Sequence, residues 1–260
     1  MKEEVCRSEY EGFFAGFYDI LQSDTSDVPF FVEMARRYGP LVLELGCGTG
    51  RLLLPIAQSG TAIVGLDSSD QMLAICRAKM NFYDEQTKAR ITLVHGDWVD
   101  FQLNQIFSLA FFACNTFNHL ISQEHQVKAL GKVYDHLSAE GILIIDNSVP
   151  NIQQFMESNG KQAVYEFLNP ANGNKIIDKF TPHYDFIQQL EHADIVLEEY
   201  SEGKLVRTAK TRTTSTFLFP RELQLLLKYC GFEVLNVWKN QKQESFDSDA
   251  REMIILARKA

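Results

Sequence analysis

The sequence predicts an α/β fold: a seven-stranded, mostly parallel sheet with helices on both faces, interrupted after its fifth strand by an antiparallel β insertion. Three observations predict it. Short apolar runs, suited to strands buried on both faces, alternate with amphipathic helical patterns from about residue 28 to residue 146. The first run, Leu41–Leu45, opens into Gly46-Cys47-Gly48-Thr49-Gly50, a loop with glycine at every second position that leads directly into a helical pattern. Residues 151–216 abandon the alternation for long polar and β-branched stretches punctuated by turn residues.

Residues 1–27 come first, with Tyr10, Phe13, Phe14, Phe17 and Tyr18 at helical spacing, which suits core packing or a lid over a ligand. Asp27-Val28-Pro29 starts a second helix and Tyr38-Gly39-Pro40 stops it. After the glycine loop, Leu52, Leu53, Ile56 and Ala57 form an apolar helix face that Ser59-Gly60 closes. The strand Ala62–Leu66 ends at Asp67, and Ser68-Ser69-Asp70-Gln71 reads as a capping box with Ser68 as the cap. Met72, Leu73, Ile75 and Cys76 face inward from that helix. Ile91–Val94 is the next strand, closed by His95-Gly96-Asp97-Trp98. Leu109–Cys114 follows as a buried strand ending in Asn115-Thr116-Phe117-Asn118-His119-Leu120. Ser122 caps a helix striped by Val127, Leu130, Val133, Tyr134 and Leu137, and Gly141 separates it from a strand, Ile142–Ile145, that ends at Asp146. Beyond the insertion, Pro220–Tyr229 is a helix with Leu223, Leu226 and Leu227 inward, and Phe232–Trp238 with Met253–Ala257 closes the sheet. The expected division is an N-terminal helical lid segment (1–40), a ligand-binding domain (41–150 and 217–260), and a β-rich insertion (151–216) acting as lid or dimer surface.

Composition narrows the function. The 260 residues are 45% apolar, enough for a full core. A net charge of −9 opposes tracking a phosphate backbone, so no nucleic-acid partner is expected. Five scattered cysteines without a C-x-x-C read as reduced thiols rather than a disulfide framework or a zinc site, and no metal is expected. The start Met1-Lys2-Glu3-Glu4 is too acidic for a signal peptide, and no apolar run approaches membrane-spanning length. A cytoplasmic protein with no membrane partner is therefore expected.

A strand, a glycine turn and a helix N-terminus make a nucleotide-type site at the C-terminal edge of a parallel sheet. The dinucleotide fingerprint G-x-G-x-x-G fits poorly, because Arg51 stands where its third glycine would fall. Glu44 would repel a pyrophosphate but suits a ligand carrying an ammonium and a sulfonium. Asp67 lies 19 residues after Gly48, near the offset of about 20 at which an acid reaches ribose hydroxyls. Asp97 is a third acid at a third strand end.

With these acids, the pattern E-x-G-x-G-x-G resembles motif I of the class I S-adenosylmethionine (SAM)-dependent methyltransferases, which are Rossmann-like. The resemblance covers nearly the whole chain. It implies SAM as cofactor and S-adenosyl-L-homocysteine as product, with a small-molecule acceptor methylated on nitrogen or oxygen. It also implies a cofactor site drawn from Tyr10, Tyr18, Glu44, Gly46, Cys47, Gly48, Gly50, Arg51, Asp67, Ser68, Met72, Gly96, Asp97, Trp98 and Asn115. In the family an acid at the Asp97 position bonds the adenine amino group, the next residue lies beside the ring, and a residue at the Met72 position packs on it. Met72 has an alternative role as ordinary core. The family also places its last strand antiparallel. The nearest likeness is to sugar N-methyltransferases and glycine N-methyltransferase, which share an N-terminal Tyr segment and a polar residue or His after the fourth strand. The insertion has no residue-by-residue match, which leaves the acceptor open.

Methyl transfer from a sulfonium is an in-line displacement, and an amine acceptor must be neutral to attack. His119 is the candidate base, with a packing role as its alternative. Tyr18, with Tyr10, is a candidate to orient an amine, and Asn115 either places a carbonyl near the methyl group or ends its strand. A nicotinamide oxidoreductase is opposed by Glu44 and the glycine spacing. A nucleic-acid adenine or glutamine methyltransferase needs an Asn/Asp-Pro-Pro-Tyr-type clamp, which Asn115-Thr116-Phe117-Asn118 is not. Asp146 and Asn147 alone do not make a magnesium site. A non-catalytic SAM-binding regulator or partner module is the alternative of a different class, and a protein-modifying methyltransferase or a homodimer through the insertion is a further possibility.

Overall fold

The computed structural model describes residues 2–6, 8 and 10–260. In chain order its elements are β1 (Lys2–Val5), α1 (Gly12–Leu21), α2 (Val28–Tyr38), β2 (Leu41–Leu45), α3 (Leu53–Gln58), β3 (Ala62–Asp67), α4 (Asp70–Met80), α5 (Glu85–Lys88), β4 (Ile91–His95) and β5 (Phe107–Phe112). A 3₁₀ turn (Thr116–His119) then precedes α6 (Gln123–His136), β6 (Leu137–Ser148), α7 (Ile152–Ser158), β7 (Ala163–Leu168), β8 (Lys175–Asp185), β9 (Leu190–Ser201), β10 (Lys204–Thr216), α8 (Pro220–Tyr229), β11 (Phe232–Trp238) and β12 (Glu252–Lys259). The chain folds as two compact units, one of residues 25–150 and 218–260, the other of residues 1–24 and 151–217.

The larger unit holds a seven-stranded sheet in the order β11-β12-β6-β5-β2-β3-β4. β2 runs parallel to β3 and β5, and only β12 opposes its neighbours β6 and β11. Strand order reverses between β2 and β5, and a crevice for ligands opens at the C-terminal ends of strands at such a switch point. Alternate residues of each strand feed opposite faces. Val42, Ile63, Leu109 and Phe111 pack with Phe31 and Met34 of α2, Leu53 and Ile56 of α3, and Leu73 of α4. Leu43, Val64, Phe112 and Ile145 pack with Leu130 and Val133 of α6 and Leu223 and Leu227 of α8. Each side chain buried this fully contributes about 1.5–3 kcal/mol, so the apolar runs fix the register of every strand. β5, the fourth strand of this sheet in chain order, runs two residues earlier than expected, Phe107–Phe112 rather than Leu109–Cys114, because Phe107 is fully buried and pairs with Leu137.

The smaller unit corrects the expected division. Residues 1–24 belong with the insertion, while α2 belongs with the larger unit. The cause is backbone pairing: β1 adds in parallel to the edge of β10, and the Cys6 amide donates to the Lys210 carbonyl at 2.9 Å. The sheet order is β1-β10-β9-β8-β7, antiparallel except at β1. Phe13, Phe14 and Phe17 of α1 cover one face of it, against Ile176, Ile195, Leu197 and Ala209. The opposite face carries ion pairs, Lys179–Glu198 and Lys175–Glu166 at 2.7 Å and Arg212–Asp194 at 2.9 Å. α7 is a second correction, since this stretch reads as mostly strand. Asn151 caps the helix by accepting from the Gln154 amide at 3.1 Å. Ile152, Phe155 and Met156 fall at helical spacing, a short signal that the surrounding strand-like stretches outweigh, and none of the helix's residues is buried.

Candidate functional site

The glycine loop lies over the end of β3. The Gly46 and Cys47 amides both donate to the Leu66 carbonyl, at 2.7 and 3.2 Å. Gly46 has φ +80°, and a Cβ there would fall 2.4 Å from Thr116 Cγ2 and 3.2 Å from Trp98 Cζ2, so no larger residue fits. Gly48, at φ +51°, faces open space apart from Met72 Cε, 3.6 Å from where its Cβ would lie. Gly50 packs instead against Cys76 and Leu54. The Cys47 thiol is buried in the core beneath Gly65, which leaves only its backbone for a ligand.

Asp67 shapes this loop. Its Oδ2 accepts the Gly48 amide at 2.7 Å and its Oδ1 accepts the Ser69 amide at 2.8 Å. Burial raises its pKa, and the two amides oppose that. The grip on Ser69 also moves the helix cap. Ser69, not Ser68, caps α4, with its Oγ accepting the Met72 amide at 3.2 Å. Ser69 is held extended by Asp67, so α4 begins one residue later than the capping-box reading places it. The Ser68 carbonyl lies 2.9 Å from His95 Nε2, and the Gly96 amide donates to the Asp67 carbonyl at 3.0 Å.

Glu44 is 4% exposed, and among the described residues its Oε2 has no hydrogen-bond partner. Burial pushes its carboxyl well up; Arg51 opposes this, while Asp67 and Asp27 reinforce it. Arg51 forms a two-pronged pair with Asp27, which flanks the start of α2, through Nη1–Oδ1 and through Nη2–Oδ2 at 2.8 Å. Its guanidinium, expected at the cofactor, thus ties the glycine loop to α2. Burial works against the Arg51 charge, and Asp27 outweighs it and keeps the group protonated. Asp97 is exposed, with Oδ1 accepting the Val99 amide at 3.1 Å. The neighbouring Trp98 ring stands perpendicular to Phe112 and 6.5 Å from the His119 ring. Its Nε1 is buried without a partner among the described residues. Met72 is 1% exposed.

The β5 end supplies the second half. Cys114 (φ 54°) and Asn115 (φ 62°) are consecutive non-glycine residues in the left-handed region, a conformation that costs energy and concentrates at functional sites. β6 holds them there. Asp146 Oδ2 accepts the Cys114 amide at 3.3 Å and the Asp146 carbonyl accepts the Asn115 amide at 3.0 Å. Asn115 Oδ1 accepts the Ser148 amide at 2.6 Å, and Asn147 Nδ2 donates to Asn118 Oδ1 at 2.7 Å. These bonds fix the 3₁₀ turn that ends in His119. Burial lowers the His119 pKa, so its imidazole is neutral at pH 7. Burial pushes Asp146 up to about 7, against the Cys114 amide.

The larger unit therefore gathers Glu44, Asp67, Asp97, Trp98, Asn115 and His119 at one sheet edge. Tyr10 and Tyr18 belong to the smaller unit, where their rings are 5.9 Å apart. Sequence reasoning missed Asp27, Asn118, and Asp146 as a support. Only Asp146 left a signal, an acid at the end of an apolar strand.

Residues 42–141 match the methyltransferase domain family. The chain is 25% identical to the cypemycin N-terminal methyltransferase of a Streptomyces species, over 92% of this chain and 93% of that one. It is 27% identical to a dTDP-3-amino-3,6-dideoxy-alpha-D-glucopyranose N,N-dimethyltransferase of Streptomyces fradiae, over 54% and 55%. The chain spans about half the length of that relative and of several others. The CcbJ methyltransferase of Streptomyces caelestis has the same fold, with a TM-score of 0.76 at 23% identity over 91% of this chain and 90% of that one. Residues 42–141 thus carry a SAM-dependent methyltransferase domain, in a Rossmann-like fold with SAM as its cofactor. Its residues fit that cofactor: the partnerless Glu44 oxygen suits a cationic group, and Gly48 leaves its side of the loop open.

Proposed function

We propose that the enzyme methylates an amino nitrogen of a small-molecule acceptor and that the insertion unit selects the acceptor. The observation that carries this reading is His119, a neutral imidazole on a turn held in place by strained neighbours and two strand ends. The names of the relatives support nitrogen, since one is an N-terminal methyltransferase and the other an N,N-dimethyltransferase.

When bound, SAM supplies a methyl group already activated on its sulfonium. Glu44 offers carboxylate to the ammonium end of the cofactor. Asp67, oriented by the Gly48 and Ser69 amides, would accept from ribose hydroxyls, and Asp97 would accept from the adenine amino group, with Trp98 and Met72 beside the ring. The backbones of Gly46, Cys47, Gly48 and Gly96 border the same ligand. Asn115 and Asn118 fix the acceptor side, and His119 takes the amine's proton. Tyr18, with Tyr10, orients the amine. Fixing donor and acceptor in this way removes up to about 7–11 kcal/mol of barrier.

The same reading includes no nucleic-acid partner, given the net charge of −9, and no membrane partner. Among the described residues no helix is long and apolar enough to cross a membrane. It also includes a cytoplasmic location and a homodimer through the insertion unit.

Incubation with labelled-methyl SAM and a panel of amino sugars, amino acids and short peptides, alongside matching alcohols, tests the proposal. N-methylated product is expected. Product on oxygen alone would overturn the nitrogen assignment, and tight SAM binding without any turnover would make the chain a SAM-binding regulator.

A further inference from the structure

α8, in the larger unit, has an inner and an outer side. Leu223 and Leu227 are fully buried in the core beneath it and hold the helix in place. On the outer side Leu225 and Tyr229 are 69% and 77% exposed, and Arg221 and Lys228 are exposed with them. Toward α6 lies a groove of about 720 Å³ bordered by Val127, Leu225, Leu226 and Tyr229. Toward β11 lies another of about 860 Å³, bordered by Leu225, Lys228 and Val234. Leu225 borders both. A single exposed leucine is ordinary, whereas a leucine and a tyrosine on one helical stripe beside two grooves mark a docking surface.

The charges on the stripe indicate what docks there. Arg221, Glu222, Lys228 and Tyr229 stand four and three residues before Leu225 and three and four after it, so all five share one helix face. That spacing is symmetric about Leu225. A second α8 laid antiparallel across a two-fold axis at Leu225 therefore sets Glu222 against the partner's Lys228 and Arg221 against the partner's Tyr229. Each contact occurs twice, giving two opposite-charge pairs and two guanidinium-over-ring contacts around a leucine centre. Glu222 is already held at the helix start, where its Oε2 accepts the Phe219 amide at 3.2 Å. Arg221 and Lys228 have no ion-pair partner within the chain among the described residues. A foreign surface of one charge sign would match only half of this stripe, and a copy of the stripe matches all of it.

We propose that the outer face of α8 is a self-docking surface, on which two copies of the chain form a two-fold dimer with their α8 helices antiparallel about Leu225. The inference goes beyond the proposed activity, and it uses the larger unit alone, so it is separate from a dimer through the insertion unit. Neither groove is lined by the glycine loop or the His119 turn, so SAM binding should not depend on the contact. α8 has ten residues and is about 15 Å long, so the contact is small and the dimer weak and concentration-dependent.

Sedimentation velocity on the full chain, over a concentration series, tests it. The wild-type chain should pass from monomer to dimer as concentration rises, and added salt should weaken the dimer. Lys228→Glu sets acid against acid at both pairs, and Glu222→Lys sets lysine against lysine. Each alone should raise the dimer Kd about 10- to 100-fold. Mixed in equal amounts, the two variants again oppose unlike charges at both pairs and should dimerise with near wild-type affinity. Leu225→Asp should abolish the dimer, with SAM affinity by calorimetry unchanged, which separates loss of contact from loss of fold. A chain that stays monomeric at the highest soluble concentration overturns the inference. A dimer that persists in Lys228→Glu and Leu225→Asp overturns it too, by placing the contact elsewhere, as does a mixture that fails to re-form the dimer.

Discussion

In the parallel sheet the strands are apolar and the acids stand at their C-terminal ends; in the antiparallel sheet charge runs along the strands on one face. β2 and β3 are buried on both sides, so Glu44 and Asp67 find room only where the chain leaves the sheet, and the fold itself collects them at one edge. β8 and β9 have a wet face that tolerates Lys179 and Glu198 as an ordinary surface pair. An acid therefore means different things in the two units. At a parallel strand end it is where the fold puts ligand groups. On the wet face of the antiparallel sheet Glu166, Asp194 and Glu198 are surface charges matched by Lys175, Arg212 and Lys179.

The sharpest way to break this contrast is at the edge of the parallel sheet. His119→Asn should lower kcat by roughly 10²- to 10⁴-fold, the usual range for proton transfer by a placed base, and leave SAM affinity nearly unchanged. Normal kinetics with reduced thermal stability would make His119 a packing residue. If His119 only orients the acceptor, KM should rise with a modest loss in kcat.

Packing gives the next largest difference. Phe111, fully buried at the centre of the parallel sheet, should cost about 3–5 kcal/mol when changed to Ala. Val164 on β7 is 52% exposed, and Val164→Ala should stay within about 0.5 kcal/mol by urea unfolding. Equal losses would show that the two sheets are buried alike.

Acidity sharpens the contrast at smaller scale. The Asp146 carboxyl is raised from 3.8 to about 7 on folding, so the folded state holds its proton more tightly than the unfolded chain. The associated stability is present below about pH 4 and lost as pH rises through about 7. Asp146→Asn should flatten that slope, and urea midpoints measured across pH 4–8 check it. A slope unchanged in the variant would assign it to other groups. The smallest effect belongs to the wet face, where Lys175→Met should cost no more than about 1 kcal/mol and less in salt.

The parallel sheet was legible because its signals are local. The apolar runs, the Gly46–Gly50 loop, and acids at strand ends are all written within a few residues, and α2, α6 and α8 begin close to where Val28, Ser122 and Pro220 place them. What was not legible depends on distance. Arg51 reads as a cofactor ligand until the fold brings Asp27, 24 residues earlier, against it. β1 joins β10 across some 200 residues, with no motif on either strand. Ser68 and Ser69 compete for one cap on equal chemistry, and the contact from Asp67 decides between them.

The central claim is that cofactor binding resides in the parallel-sheet unit and acceptor choice in the antiparallel one. Measuring SAM affinity and acceptor turnover in Asp67→Ala, and in a chain whose residues 151–216 are replaced by a short loop, tests it most directly. Asp67→Ala should weaken SAM by about 10- to 100-fold with little effect on the acceptor's KM at saturating SAM, and the loop replacement should abolish acceptor turnover and leave SAM affinity as it was. If the loop replacement leaves turnover intact, or if Asp67→Ala leaves SAM affinity intact, the division of labour is wrong.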